Sequence, residues 1–347
     1  MLHPKRVIQV WVCRSLVWAE QEVVMRTIKN LFWNSEAARL RAGWRILVYQ
    51  AVWFILLYAA FYLRDTVLSN WLAEVYRTPL AVAIHTLLVV VLLLGLVGSR
   101  LLDRRPIADY GFHLNRGWWL DLCFGIVLAT LLMLCIFGVE LALGWTEITG
   151  TFVTADPGLL FGPMILVVFT TITLIAAEEE ITWRGYMLQN MAEGLNLKVI
   201  GPRVATLVAA FISSVLFGLA HAENLNATTL STINTMLFAV LVLAAGYVLT
   251  GELALPIGFH VAWNFVQVGV LGYSGGATQL GASFFAITQH GPALWTGEPY
   301  GHEGGLLGTG AIILGFLLIV AWVRLRRGSV RLEPSVAQPP VRLADSY

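Results

Sequence analysis

Ala176-Ala177-Glu178-Glu179-Glu180-Ile181-Thr182-Trp183-Arg184-Gly185 places three carboxylates and an arginine directly after an apolar run, residues 159–177, that is long enough to cross a bilayer. An ionisable side chain at mid-membrane costs on the order of 2.5–3.5 kcal/mol even on the mildest insertion scale. Four together require partners or a wet cavity within the protein. On a helix Glu180 and Arg184 stand four apart with the acid first, the favourable order for a pair. Glu179 lies about 100° round the helix and has no such partner. The free carboxylate is therefore the first candidate for chemistry.

The surrounding chain is a membrane protein by composition. Of 347 residues, 58% are hydrophobic and 12% charged, against about 25% charged in soluble domains; the mean hydropathy is +0.74. A net charge of +1 and the lack of a basic stripe give no sign of a nucleic-acid partner. Cys13, Cys123 and Cys135 show neither metal spacing nor a disulfide framework and read as packing residues. The apolar stretch Val7–Val17 is broken by Arg14 with no cleavage site after it, so residues 1–45 read as a basic, partly amphipathic cytoplasmic segment.

Apolar runs predict spanning helices at about 46–63, 79–98, 122–143, 159–177, 204–220, 233–249, 253–272 and 307–323. The expected fold is thus an all-α polytopic bundle of about eight transmembrane helices. Twenty of the 22 Lys and Arg fall on alternate non-membrane segments, which predicts that both termini are cytoplasmic. The loop 273–306 then lies outside, with His290 and His302 as solvated loop residues. The tail 324–347 reads as disordered and carries no lipidation box. No internal repeat suggests a transporter.

Two further polar pairs sit on the apolar runs: Phe217-Gly218-Leu219-Ala220-His221 and His260-Val261-Ala262-Trp263-Asn264. Each is spaced i,i+4 and presents two side chains on one face. His85 stands alone and reads as packing; Glu140 and Asp121 read as snorkelling or capping residues. A free carboxylate, two imidazoles and an amide are the parts for hydrolysis of an amide by water. The acid and one His can activate the water. A second His and the Asn can stabilise the oxyanion. Glu179 and His221 are 42 residues apart, and their midpoint adjoins the turn signal Gly201-Pro202. A strict hydropathy drawing puts them at opposite ends of adjacent spans. A long fourth helix, continuing past Arg184 to residue 196, would bring them level.

In this order the three pieces resemble the CPBP family of intramembrane proteases, the CAAX-processing and bacteriocin-processing enzymes also called the Abi or type II CAAX prenyl endopeptidase family. Glu179-Glu180-Ile181-Thr182-Trp183-Arg184 matches the family's two glutamates, three residues and arginine. Arg184 sets the register despite the additional Glu178. Phe217 to His221 matches Phe-x-x-x-His, and His260 to Asn264 matches His-x-x-x-Asn. The core likeness covers residues 159–272 within a protease domain of 46–323. It implies that Glu179 is the general base acting with His221, that His260 and Asn264 form the oxyanion hole, that Glu180 and Arg184 are a structural pair, and that Phe217 is a supporting residue. The implied substrate is a membrane-anchored or lipidated, CAAX-type peptide near the cytoplasmic side of the lipid bilayer. Some descriptions of the family invoke zinc; here Glu179, Glu180, His221 and His260 would be the ligands, and only if the pair with Arg184 were broken. The metal-free mechanism is the expectation. The alternatives are a non-enzymatic adaptor, immunity factor or chaperone on the same scaffold, which would not need the full set of polar residues, and a proton-coupled transporter, which the lack of repeats disfavours.

Overall fold

The computed structural model describes residues 25–27, 29–35, 37–98, 102–103, 105–274 and 281–339. Most of the basic N-terminal stretch with Cys13, Arg100, Arg104 and the last eight residues therefore lie outside the described residues. A two-residue antiparallel pair, β1 (Trp33–Asn34) with β2 (Arg39–Leu40), precedes eight apolar helices. They are α1 (Ala42–Tyr62), α2 (Glu74–Gly98), α3 (Arg116–Ala142), α4 (Phe161–Leu195), α5 (Gly201–Ala220), α6 (Thr229–Thr250), α7 (Ala254–Val270) and α8 (Leu306–Arg327). Six are long and apolar enough to cross a membrane; α2 over Tyr76–Val91 and α7 are shorter apolar helices. The protein is a multi-pass integral membrane protein.

Local chemistry sets the helix ends. Asn115 caps α3 by accepting from the Trp118 amide, and Thr228 with Ser231 forms a reciprocal capping box at α6. Pro202 opens α5 in the first turn, where its missing N–H has no helical partner to lose. Arg324, Arg326 and Arg327 occupy the last turn of α8, where cations complement the helix dipole.

The fourth helix is the departure that matters. The charged cluster does not end it: α4 runs 35 residues, α-helical to Glu180, π-helical over Ile181–Leu188 and α-helical again to Leu195. This is the long helix that the level placement of Glu179 and His221 requires. At 1.5 Å per residue it is about 52 Å long, with Glu179 near its middle.

The interior gathers around α6, whose apolar window is 67% buried against 11% for α1. Met133, Val242, Phe259, Trp263 and Ile312 unite α3, α6, α7 and α8 in one core. Helices α3 and α7 cross at glycines. A Cβ on Gly258 would lie 2.3 Å from the Leu122 carbonyl oxygen, and one on Gly125 would lie 2.5 Å from that of Leu255. Small residues let the backbones meet, and this crossing seats the helix that carries His260.

Several expectations need correction. The segments 143–160 and 273–306 are more than loops, because β3 (Thr146–Thr154) pairs antiparallel with β4 (Ala282–Gln289), from Thr146↔Gln289 to Thr154↔Ala282. Residues 324–339 do not fit the expected disordered tail: α8 continues to Arg327, and Val336 and Ala337 are buried in a short 3₁₀ turn. Arg105 also donates to the Gln338 carbonyl at 3.2 Å. At that end Arg39 and Arg45 pair with Asp103 and Glu193, so residues 39–45 belong to the packed domain. Burial alone would raise the Asp103 carboxyl, but the Arg45 charge and hydrogen bonds from Tyr110 and Asn190 hold it below the ordinary range. Cys123 and Cys135 are exposed on the outward face of α3 rather than packed inside. Asp121 does not snorkel; it is buried and accepts from Trp322 at 2.7 Å and Arg326 at 2.6 Å, joining α3 to α8.

Candidate active site

Consecutive residues on a helix point about 100° apart, and the three glutamates of α4 meet three environments. Glu178 turns to α1, where it accepts from the Trp53 indole and, at 2.9 Å, from Thr182. Tyr49 shares a hydrogen bond with that same Thr182 at 3.0 Å. Glu180 is fully buried; its Oε1 accepts from Arg184 at 2.9 Å and sits 2.8 Å from Nδ1 of His260. Glu179 lies between, its side chain 19% exposed, with Oε1 3.8 Å from Nε2 of His221 and Oε2 3.6 Å from Nε2 of His260. The π turn begins at the residue after Glu180. Such widened turns are frequent at functional sites.

Residues from α5 and α7 complete the group. His221 caps the end of α5, and its Nδ1 lies 2.8 Å from the Phe217 carbonyl. A carbonyl only accepts, so Nδ1 of His221 carries a proton and donates to it, while Nε2 faces Glu179. By the same reasoning Nδ1 of His260 donates to the Glu180 carboxylate. Asn264 stands one turn beyond His260 and is half-buried, with no side-chain hydrogen bond among the described residues. Glu179, His221 and His260 thus meet in one place, and Asn264 shares the His260 face of α7.

Phe217 has a definite contact here. The Arg184 guanidinium lies 4.4 Å over its ring, and the His221 ring is 4.4 Å away. One aromatic side chain therefore supports both the cation of the structural pair and the imidazole one turn along α5.

Residues 161–266 match the family model described as Type II CAAX prenyl endopeptidase Rce1-like. That segment is an Rce1-like domain of the CPBP type. The family is a protease family. The Rce1-like domain spans α4 to α7 and includes Glu179, Glu180, Arg184, Phe217, His221, His260 and Asn264. Helices α1, α2, α3 and α8 and the strands β1 to β4 lie beyond the match. No curated protein and no solved structure matches the chain.

Zinc in such a site requires three or four ligands at about 2.0–2.2 Å around one point. Among the described residues, no three His, Cys, Asp or Glu side chains are grouped to hold a metal ion. Glu180, needed for the four-ligand set, already shares Oε1 between Arg184 and His260. That four-ligand set would require the Glu180 carboxylate to leave Arg184 and His260.

His85 is buried and edge-on to Trp53, ring centroids 5.5 Å apart, in keeping with a packing role. Other polar residues escaped the sequence reading. Glu140 and His302, read as a snorkelling and a solvated residue, are both fully buried, with Nδ1 of His302 3.8 Å from Glu140 Oε1. Glu140 also accepts from Tyr273 and Thr146, each at 2.7 Å. The signal for His302 was the glycine-flanked Gly301-His302-Glu303-Gly304, which permits close packing where a polar loop would stay in solvent.

Proposed function

We propose that this protein is an intramembrane endopeptidase that hydrolyses a peptide bond of a membrane-anchored or prenylated, CAAX-type substrate with water activated by Glu179. The observation that carries the proposal is the division of labour among the acids. Glu180 is engaged by Arg184 and His260, whereas Glu179 is partly exposed and faces two imidazoles at 3.6 and 3.8 Å. Those gaps exceed a hydrogen bond and suit a water held among the three groups.

In the proposed reaction Glu179 removes a proton from that water as its oxygen attacks the scissile carbonyl carbon. His221 Nε2 orients the water. The carbonyl oxygen gains negative charge, and the Asn264 amide and His260 Nε2 stabilise it. For His260 to donate from Nε2 while Nδ1 donates to Glu180, the ring must be the imidazolium. Its charge with that of Arg184 then balances Glu179 and Glu180. Collapse of the tetrahedral intermediate breaks the C–N bond, and the proton held by Glu179 passes to the leaving amine. General-base catalysis contributes about 10²–10⁴-fold and each oxyanion donor about 10²–10³-fold. The mid-helix position of Glu179 supports a site at membrane depth, where a lipidated peptide would be presented.

The test is direct. Purified protein in lipid nanodiscs is incubated with a farnesylated CAAX-type peptide and its unprenylated counterpart, and products are identified by mass spectrometry. Cleavage of the prenylated peptide is expected; intact peptides with folded protein would favour the adaptor. We also infer, from the charge asymmetry of the loops, that both termini face the cytoplasm. The exposed His290, changed to Cys in a Cys-free background, should then react with an impermeant reagent in intact cells. Reaction only after permeabilisation would reverse the orientation.

A further inference from the structure

The Rce1-like match stops at residue 266, yet the loop 297–305 packs against the same site from outside it. Its glycines make a tight fold: a Cβ on Gly297 would lie 1.9 Å from the Gly301 carbonyl oxygen. The loop holds three polar side chains inward. His302 is fully buried, its amide donating to Gln267 Oε1 at 3.1 Å. Tyr300 is buried within hydrogen-bonding reach of Asn224, in the turn after His221, and of Thr235 on α6, and it lies in the field of Glu179. Glu303 accepts from the Trp263 indole through Oε1 and from Gln267 Nε2, at 3.3 Å, through Oε2.

Trp263 and Gln267 are one helical turn apart on α7 and share a face. Trp263 is fully buried, and its indole N–H can only donate, so an interior acceptor is required. A carboxylate is the strongest acceptor available to it. Trp263 immediately precedes Asn264, and the face it shares with Gln267 adjoins the face of His260 and Asn264. The glycine crossing with α3 sets how closely α7 packs, while rotation about its own axis is resisted by the two bonds to Glu303. At a side-chain radius of about 5–6 Å, a turn of about 10° displaces a side-chain tip by roughly 1 Å. A displacement of that size can cost on the order of 10²-fold in rate.

We propose that Glu303 is a positioning residue of the peptidase, holding Trp263 and Gln267 so that His260 and Asn264 face the scissile carbonyl at the correct angle. This rests on the function proposed above and adds to it a residue outside the family match. Because oxyanion donors act mainly in the transition state, the effect falls on kcat rather than on substrate affinity.

The experiment is a double-mutant cycle on the full-length protein in nanodiscs. Glu303→Ala and Trp263→Phe are each expected to lower kcat about ten- to a hundredfold with KM within about threefold, and the double variant to fall no further than the lower single. Glu303→Gln keeps one acceptor oxygen and should recover to within about tenfold of wild type. If Glu303→Ala fails to accumulate as folded protein, Trp263→Phe decides alone, because it leaves the loop intact. Wild-type kcat in Trp263→Phe, losses that multiply in the double variant, or losses confined to KM would overturn the proposal. Glu179→Gln run in parallel separates the two levels: its retained activity would remove the underlying site assignment. An inactive Glu179→Gln beside a fully active Trp263→Phe would remove only the role of Glu303.

Discussion

Glu179→Gln is expected to lower kcat by about 10³-fold or more, with melting and membrane insertion unchanged. Glutamine keeps the shape of the side chain and cannot accept the proton from water, so the general-base contribution of about 10²–10⁴ is removed while packing persists. The fold should not register the change, since Glu179 makes no direct hydrogen bond among the described residues and is partly exposed. Glu178→Gln is the informative neighbour. Its carboxylate is held by Trp53 and Thr182 on the α1 side, away from both imidazoles, and its loss should cost less than about tenfold in rate. A larger loss at Glu178 than at Glu179 would shift the catalytic register by one residue.

Arg184→Ala should have the largest effect on stability. The guanidinium and the Glu180 carboxylate are both buried, and removing one partner of such a pair costs about 3–5 kcal/mol because the other charge remains in a low dielectric. The stacking on Phe217 is lost as well. Expression and melting temperature should fall together with activity. Arg184→Lys should not rescue fully, since an ammonium lacks the planar face that lies over the ring. Removing both charges, as Glu180→Gln with Arg184→Met, should restore most of the melting temperature by removing the uncompensated ion. Activity should stay low, because Nδ1 of His260 would have lost its carboxylate partner. Wild-type melting in Arg184→Ala would show that the pair is solvated.

Much of this was legible because membranes penalise polar residues: a charged cluster beside an apolar run must be explained. Hydropathy located all eight helices, and the i,i+4 rule separated Glu180 from Glu179. It underestimated α4, because a helix whose acids are paired internally continues where hydropathy alone would end it. The contact between Phe217 and Arg184 was hidden, since an aromatic in an apolar run has no distinguishing signal. The β3–β4 pairing joins residues about 130 or more apart in sequence, and the inward turn of His302 and Glu303 depends on Trp263 and Gln267, 35 to 40 residues away, and on glycine-dependent packing. Local pattern reports neither. Glu140 was misread for the same reason: its partners Tyr273 and Thr146 come together only in the folded chain.

The most direct measurement is of peptide cleavage by chelator-treated protein whose metal content is determined on the same sample. The arrangement of Glu180 between Arg184 and His260 and the separations around Glu179 predict undiminished turnover in protein that holds no zinc. One zinc per active chain, lost together with activity and restored with it, would contradict the account.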